Sequence, residues 1–218
     1  MKRELIIAFV QKELANERTG HDFYHGERVA NLGLKLLLHD HPDASQLTQD
    51  IVFAAGLVHD TIDEKVCADP AGELEKVKKM LEDAELAAEG REEVEFTITH
   101  MSFSKNLGHH YQLPLAGQYV QDADRLESLG AIGIARAFTY GGKHGNLIYD
   151  PKIKPVKLTD HDQYRQHEET TINHFYEKLF HLAALMNTPA AKAEAEERTD
   201  YMKEFVARFM AEWQGKKF

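Results

Sequence analysis

Three stretches of the chain carry side chains with the chemistry of a metal centre. The first holds His21, His25 and Arg28. On a helix, His21 and His25 stand i,i+4 and His25 and Arg28 stand i,i+3, so all three would share one face. The second is His59-Asp60, which closes a strongly apolar run. Charged groups at the edge of a core need partners or a metal. The third is Gln121-Asp122-Ala123-Asp124-Arg125-Leu126, two carboxylates and an arginine at an expected helix start. Two histidines and one or two aspartates could thus converge from three segments. Neutral imidazoles and carboxylates are donors of intermediate hardness. They suit Mn, Fe, Co, Ni or Zn, and Mg where waters complete the shell. A divalent ion among two imidazoles and two carboxylates would be nearly neutralised. An open position on it would acidify a water at neutral pH, and the same ion could hold a phosphoryl oxygen. Arg28, Lys65 and Arg125 could hold further phosphate charge.

The elements that must position these groups are helices. Val/Ile alternation is scarce and helix-type spacing frequent, so the chain reads as all-α. Helices are expected over residues 2–16, from an Asp22 N-cap to residue 39, and over 46–59. The last is apolar nearly all round, which marks a central helix. Residues 61–72 read as a loop. A helix over 73–89 is expected to stop at Gly90, followed by another over 91–101. A loop over 102–114 leads to a short helix over 115–121. The next helix, 125–140, is expected to stop at Gly141-Gly142. Residues 145–158 are irregular, and two long helices follow over 162–186 and 189–214. The reading is one domain over 1–218, with a core at about 20–140 and the C-terminal helices packed on it. The best candidate for an internal boundary is the 145–160 stretch.

Composition narrows the function classes. There are 26 Lys+Arg against 36 Asp+Glu in 218 residues, a formal net charge of −10. That balance argues against sequence-independent nucleic-acid binding and against a basic membrane-surface protein. One cysteine, Cys67, excludes a disulfide framework and a Cys-rich zinc site, so any metal must be held by the 13 histidines and the carboxylates. Cys67 has no evident base, which argues against a thiol nucleophile. No apolar run reaches the ~20 residues of a membrane span. The first ten residues lack the features of a signal peptide. A reducing cytoplasm is the expected compartment.

The order His25…His59-Asp60…Asp124 resembles the H…HD…D signature of the HD-domain metal-dependent phosphohydrolase superfamily. Residues 21–29, HDFYHGERV, resemble the HDxxHxxRV opening of its YpgQ/YedJ-like bacterial subgroup, and residues 57–65, LVHDTIDEK, resemble that subgroup's HD loop. Residues 101–105, 121–127, 131–142, 173–179 and the Glu212-Trp213 end extend the likeness over almost the whole chain. The resemblance implies an all-α HD-domain helical bundle and one divalent ion (Mn, Ni, Co, Fe or Mg, with Zn admissible). By it, the ligands carry over to His25, His59, Asp60 and Asp124. It also implies hydrolysis of a phosphate ester or anhydride, and in some members of the subgroup release of pyrophosphate from nucleotides.

Other residues have a functional and a plain reading side by side. His21 rivals His25 on spacing, but only His25 stands three before Arg28 as in the superfamily pattern, so the resemblance leaves His21 behind the ligands or in a substrate-pocket wall. Asp63 could act as acid or base, or orient a water, or be a solvated loop carboxylate. Lys65 could meet a phosphate or only Glu64. Arg28 could bind phosphate or pair with Asp22 or Asp124. His100 is an extra histidine for a single-metal site and leaves a second ion open. With Lys105, His109 and His110 it flanks a loop that could meet substrate or be plain surface. Arg136, Tyr140 and Lys143 surround the Gly-Gly turn, which is more often a helix stop than a phosphate cradle. Asp122 could hold Arg125 or Arg28. The run 192–198 reads as a solvated helix face.

Together these readings predict a nucleotide phosphohydrolase, foremost a (deoxy)nucleoside triphosphate pyrophosphohydrolase. Asp63, Lys65 and Arg28 are the expected catalytic groups. His21, Arg125, His100, Lys105, Tyr140 and Lys143 are the expected substrate contacts. The same-class alternatives are a 5′-nucleotidase and a cyclic phosphodiesterase. The alternative of another class is a non-catalytic HD-fold ligand-sensing module, against which the intact H…HD…D set argues. The partner is a small phosphorylated molecule, not a nucleic-acid polymer or a membrane, and a homodimer is left open.

Overall fold

The computed structural model describes residues 1–107, 109–158 and 169–216. Among them there is no strand. The helices are α1 (Arg3–Glu13), α2 (Phe23–Asp40), α3 (Gln46–Val58), α4 (Pro70–Asp83), α5 (Ala88–His100), α6 (Leu115–Glu127), α7 (Gly130–His144), α8 (Thr171–Glu177) and α9 (Pro189–Trp213). Short 3₁₀ turns cover His59–Ile62, Ser104–Asn106 and Leu179–Leu185. The all-α expectation is met. Contacts gather into two compact units, Met1–Asp124 and Arg125–Phe218, so the border falls inside α6 and not in the 145–160 stretch.

In the first unit α3 is the centre. Every residue from Asp50 to Val58 on it is buried, and it packs on α1, α2 and α5. Its start is set by Ser45, whose hydroxyl accepts from the Thr48 amide. The start of α2 is set by Asp22, whose carboxylate accepts from the His25 amide at 2.9 Å. The approach of α2 to α3 depends on small residues. A Cβ added at Gly26 would lie 2.8 Å from the Leu57 carbonyl oxygen, and one at Gly56 would lie 2.8 Å from the Ala30 Cα. Glycine inside a helix costs about 1 kcal/mol relative to alanine. Its presence at both positions reflects this backbone-to-backbone contact. Gly33, one turn beyond Ala30, lies near Val52 of α3 and Ala123 of α6.

In the second unit α7, α8, α9 and the 179–185 turn pack together. Phe175 is fully buried among Phe138, Phe180 and Phe205, with ring centroids 6.1 to 6.3 Å away. The buried Glu177 carboxylate accepts from the Val156 amide, which ties the irregular 145–158 stretch to α8.

Several expected boundaries are corrected. The helix expected over 73–89 stops at Asp83, because Leu86 is pulled into the core. Its amide donates to the Leu81 carbonyl at 3.1 Å, and Glu85 takes a positive φ of 59° to allow it. Gly90 is not a stop but lies inside α5 against Leu47 and Leu86. The loop expected over 61–72 already carries helix from Pro70, capped by the Asp69 carboxylate on the Gly72 amide. Residues 122–125 lie within a continuous α6, and the break falls at Ser128-Leu129. Gly141 and Gly142 lie inside α7, whose stop is Gly145 at φ +78°. Of the helix expected over 162–186, residues 162–168 lie outside the described residues. The remainder breaks at Lys178 between α8 and the 3₁₀ turn.

Candidate metal centre

His25 lies in the first turn of α2, fully buried and next to Gly26. His59 and Asp60 open the 3₁₀ turn that continues α3, both nearly buried. Asp124 comes from α6 with its side chain 30% exposed. The Gly26–Leu57 contact carries His25 to the end of α3, where the His25 and His59 rings meet edge-on with centroids 5.2 Å apart.

The donor atoms of these residues follow one another in a series of close contacts. His25 Nε2 is 3.3 Å from Asp124 Oδ1 and 3.4 Å from Asp60 Oδ2. His59 Nε2 is 3.3 Å from Asp60 Oδ1 and 3.6 Å from Asp124 Oδ1. Most of these spacings are long for a hydrogen bond between a ring nitrogen and a carboxylate. They match two donors sharing an ion with bonds of about 2.1 Å, which stand ~3.0 Å apart at a right angle and ~3.4 Å apart at the tetrahedral angle.

His59 gives an independent test of fit. Its Nδ1 is 2.8 Å from the Gly56 carbonyl oxygen. A carbonyl only accepts, so Nδ1 carries the hydrogen. The Nε2 lone pair of the neutral ring then points at two carboxylates, and this buried atom makes no hydrogen bond among the described residues. A cation is needed between them. Without an ion that cation is a proton. Burial pulls the His59 imidazolium down, but the Asp60 and Asp124 carboxylates and the Gly56 carbonyl outweigh it and raise the group to about 9. Burial likewise raises Asp60, but His59, His21 and His25 outweigh it and hold the carboxyl well below the usual range. Asp124 is also held low, by His25 and His59 against its burial. The donor set therefore suits a divalent ion. Metal-donor atoms within 4.8 Å of one another form two overlapping groups among the described residues, His25/His59/Asp124 and His21/His25/Asp60.

His21 is near, but not by the expected route. Asp22 caps α2, so His21 precedes the helix and cannot share its face. It turns in from the preceding chain, and its Nδ1 lies 2.9 Å from Asp60 Oδ2. Arg28 is half-buried on α2, one turn beyond His25. Asp63 follows the 3₁₀ turn, half-buried, and its Oδ1 accepts from the Lys65 amide at 2.8 Å. Lys65 is also half-buried.

Other expected contacts have structural partners. The Lys105 ammonium donates to the Thr99 carbonyl at 2.9 Å and closes the end of α5. His100 stacks on Phe96 at 4.2 Å, and its Nδ1 faces the Phe96 carbonyl. No three-residue metal-donor group among the described residues includes His100. Arg125 belongs to the second unit, is buried, and donates to the Leu185 carbonyl. Tyr140 stacks on His144 on α7, and Lys143 is exposed on the same helix.

The residues that sequence reasoning missed are Gly26, Gly56 and Gln121. The signal for the glycines was mid-helix glycine at an unexplained energetic cost. Gln121 stands in the 121–127 likeness, which assigns it no role of its own. Its side-chain amide donates to the Met101 carbonyl at 2.8 Å and fixes α6 against the end of α5, one turn before Asp124.

No protein-family model matches the chain. Individual relatives do. YpgQ of Bacillus subtilis strain 168, itself uncharacterized, is 36% identical over 205 residues, covering 93% of this chain and 89% of YpgQ. A crystal structure of YpgQ in complex with ADP superimposes with a TM-score of 0.73, covering 96% of both chains. A crystal structure of an HD-superfamily hydrolase from Bacillus thuringiensis is 39% identical with a TM-score of 0.71, covering 99% of this chain and 100% of the other. A crystal structure of a Lactobacillus plantarum protein is 42% identical with a TM-score of 0.87, covering 99% and 98%. No helix among the described residues is long and apolar enough to cross a membrane. With His25, His59, Asp60 and Asp124 in close mutual contact and these relatives matched over nearly their whole length, the chain belongs to the HD-domain metal-dependent phosphohydrolase superfamily, in its YpgQ-like subgroup.

Proposed function

We propose that this protein is a nucleotide phosphohydrolase that cleaves (deoxy)nucleoside triphosphates to monophosphate and pyrophosphate, with both units as parts of one HD domain. His25, His59, Asp60 and Asp124 hold one divalent ion in this reading. The observation that carries it is the His59 Nε2 lone pair, buried and facing two carboxylates. The ADP complex of YpgQ supports a nucleotide as the ligand. When bound, the ion supplies Lewis acidity toward water and a phosphoryl oxygen.

The chain's own groups do the rest. Asp63, three residues beyond Asp60, takes the proton of the attacking water. The water oxygen bonds to the α-phosphorus as the bond to the bridging oxygen breaks, and pyrophosphate leaves with that oxygen. Arg28 and Lys65 bind the phosphate charge. Arg125 is not counted among them, because its guanidinium is engaged with the Leu185 carbonyl. In a protein of net charge −10 these local cations offset the general repulsion of a polyanion.

The test is a panel of nucleoside mono-, di- and triphosphates with Mn²⁺, Co²⁺, Ni²⁺ and Mg²⁺, with products separated by chromatography. The expected result is pyrophosphate release and a kcat/KM that rises from monophosphate to triphosphate. Lys65→Ala should harm the triphosphate more than the monophosphate. Release of inorganic phosphate alone, from monophosphates, would replace this reading with a nucleotidase. Ligand binding without turnover under any ion would replace it with a sensing module.

A further inference from the structure

Asp60 divides its two carboxylate oxygens between different neighbours. Oδ1 faces His59 Nε2 at 3.3 Å. Oδ2 lies 2.9 Å from His21 Nδ1, hydrogen-bond range, and 3.4 Å from His25 Nε2. An ionised carboxylate only accepts, so the His21 contact is an Nδ1–H donating to Oδ2. His21 is itself fixed from two sides. The Asp22 cap sets the entry of the chain into α2, and the His21 ring meets the His25 ring edge-on at 5.8 Å. Its side chain is 18% exposed, so the ring spans from the buried carboxylate toward the outside.

We infer that His21 is the positioning residue of Asp60: its Nδ1–H engages Oδ2, restrains the carboxylate and leaves Oδ1 for an ion shared with His59. The inference rests on the metal assignment made under the proposed function and deepens it. A carboxylate with no such donor is free to rotate about its last bond, and a ligand that must be ordered by the ion itself binds it more weakly. Partners behind metal ligands are worth about 10–100-fold in affinity. His21 thus acts on the ion through Asp60, and not as a substrate contact or a ligand in its own right.

The experiment measures Mn²⁺ affinity by titration calorimetry and the visible absorption spectrum of Co²⁺ bound to the full chain. The variants are His21→Ala, His21→Asn and, as control, His25→Ala, each checked for folding by circular dichroism. An asparagine amide can present an N–H near the place of Nδ1. His21→Ala should lose about 10–100-fold in Mn²⁺ affinity and alter the Co²⁺ spectrum. His21→Asn should recover most of the affinity and the wild-type spectrum. Wild-type affinity in His21→Ala, or equal loss in the alanine and asparagine variants, overturns the positioning role. If His25→Ala also keeps full affinity, the ion binds elsewhere, and the metal assignment itself is refuted.

Discussion

Replacing Gly26 by alanine adds one methyl group where α2 touches α3, and the consequence can be worked through to the metal centre. The new Cβ would sit 2.8 Å from the Leu57 carbonyl oxygen, with the Leu57 carbonyl carbon and Cα both at 3.5 Å. These are backbone atoms of a helix end and cannot swing aside. An aliphatic carbon rests about 3.3–3.6 Å from a carbonyl oxygen. Relief therefore needs the helices to part by about 0.5–0.8 Å. Overpacking of this kind costs about 1–3 kcal/mol. Alanine's better helix propensity returns about 1 kcal/mol. The metal-free fold should thus lose about 0–2 kcal/mol and survive. The centre is less tolerant. His25 is the residue just before it on α2 and His59 follows closely on α3, while metal–ligand distances hold within about 0.2 Å. A displacement several times that tolerance should cost at least about tenfold in Mn²⁺ affinity. Calorimetric titration with Mn²⁺ and urea unfolding of the metal-free protein measure the two effects separately. A Gly26→Ala variant with wild-type affinity, or one more stable than wild type, would refute the close-contact argument.

Further outcomes follow from the same geometry. His59→Ala and Asp60→Ala should each strip a tightly held divalent ion and abolish turnover, and elemental analysis showing full metal content in both would remove them from the ligand set. Asp63→Asn keeps an oxygen that can accept from the Lys65 amide while removing the negative charge. It should retain the metal and lose about 10²–10⁴ in kcat, and undiminished kcat would leave Asp63 as a loop cap only. The His59 imidazolium, raised from 6.5 to about 9 in the folded metal-free protein, stabilises the fold fully below pH ~6.5. That contribution is lost as pH rises through about 9. The Tm of the metal-free protein should therefore fall across that window. Mn²⁺, which replaces the proton, should bind more tightly as pH rises through it. A flat metal-free Tm and pH-independent Mn²⁺ affinity would contradict the arrangement around His59.

The local chemistry of this protein is legible in its sequence because it depends on residue type and short spacing. Asp22 and Ser45 cap α2 and α3 where a short polar side chain precedes an apolar periodic run. The uniformly apolar α3 is central because it has no polar face to leave in water. The His and Asp identities and their order carry the family resemblance from which the proposed donor set comes. The weaker readings failed where a local signal met a tertiary one. Gly90 and Gly141-Gly142 look like helix stops but sit inside helices, while Glu85 ends a helix because burying Leu86 outweighs its own strained backbone. Asp122 to Arg125 look like a helix start but lie within one continuous α6. Lys105 and Arg125 read as phosphate contacts, and each donates to a backbone carbonyl, of Thr99 and of Leu185. The histidine pair shows the division most directly. Spacing puts His21 and His25 on one helical face, but the Asp22 cap leaves His21 outside the helix. The close Gly26–Leu57 and Gly56–Ala30 contacts bring α2 and α3 together where His21 and His25 reach Asp60. Which residues can bind an ion is a property of their side chains. Which of them come together is set by how closely two backbones pack, and that depends on partners more than twenty-five residues apart.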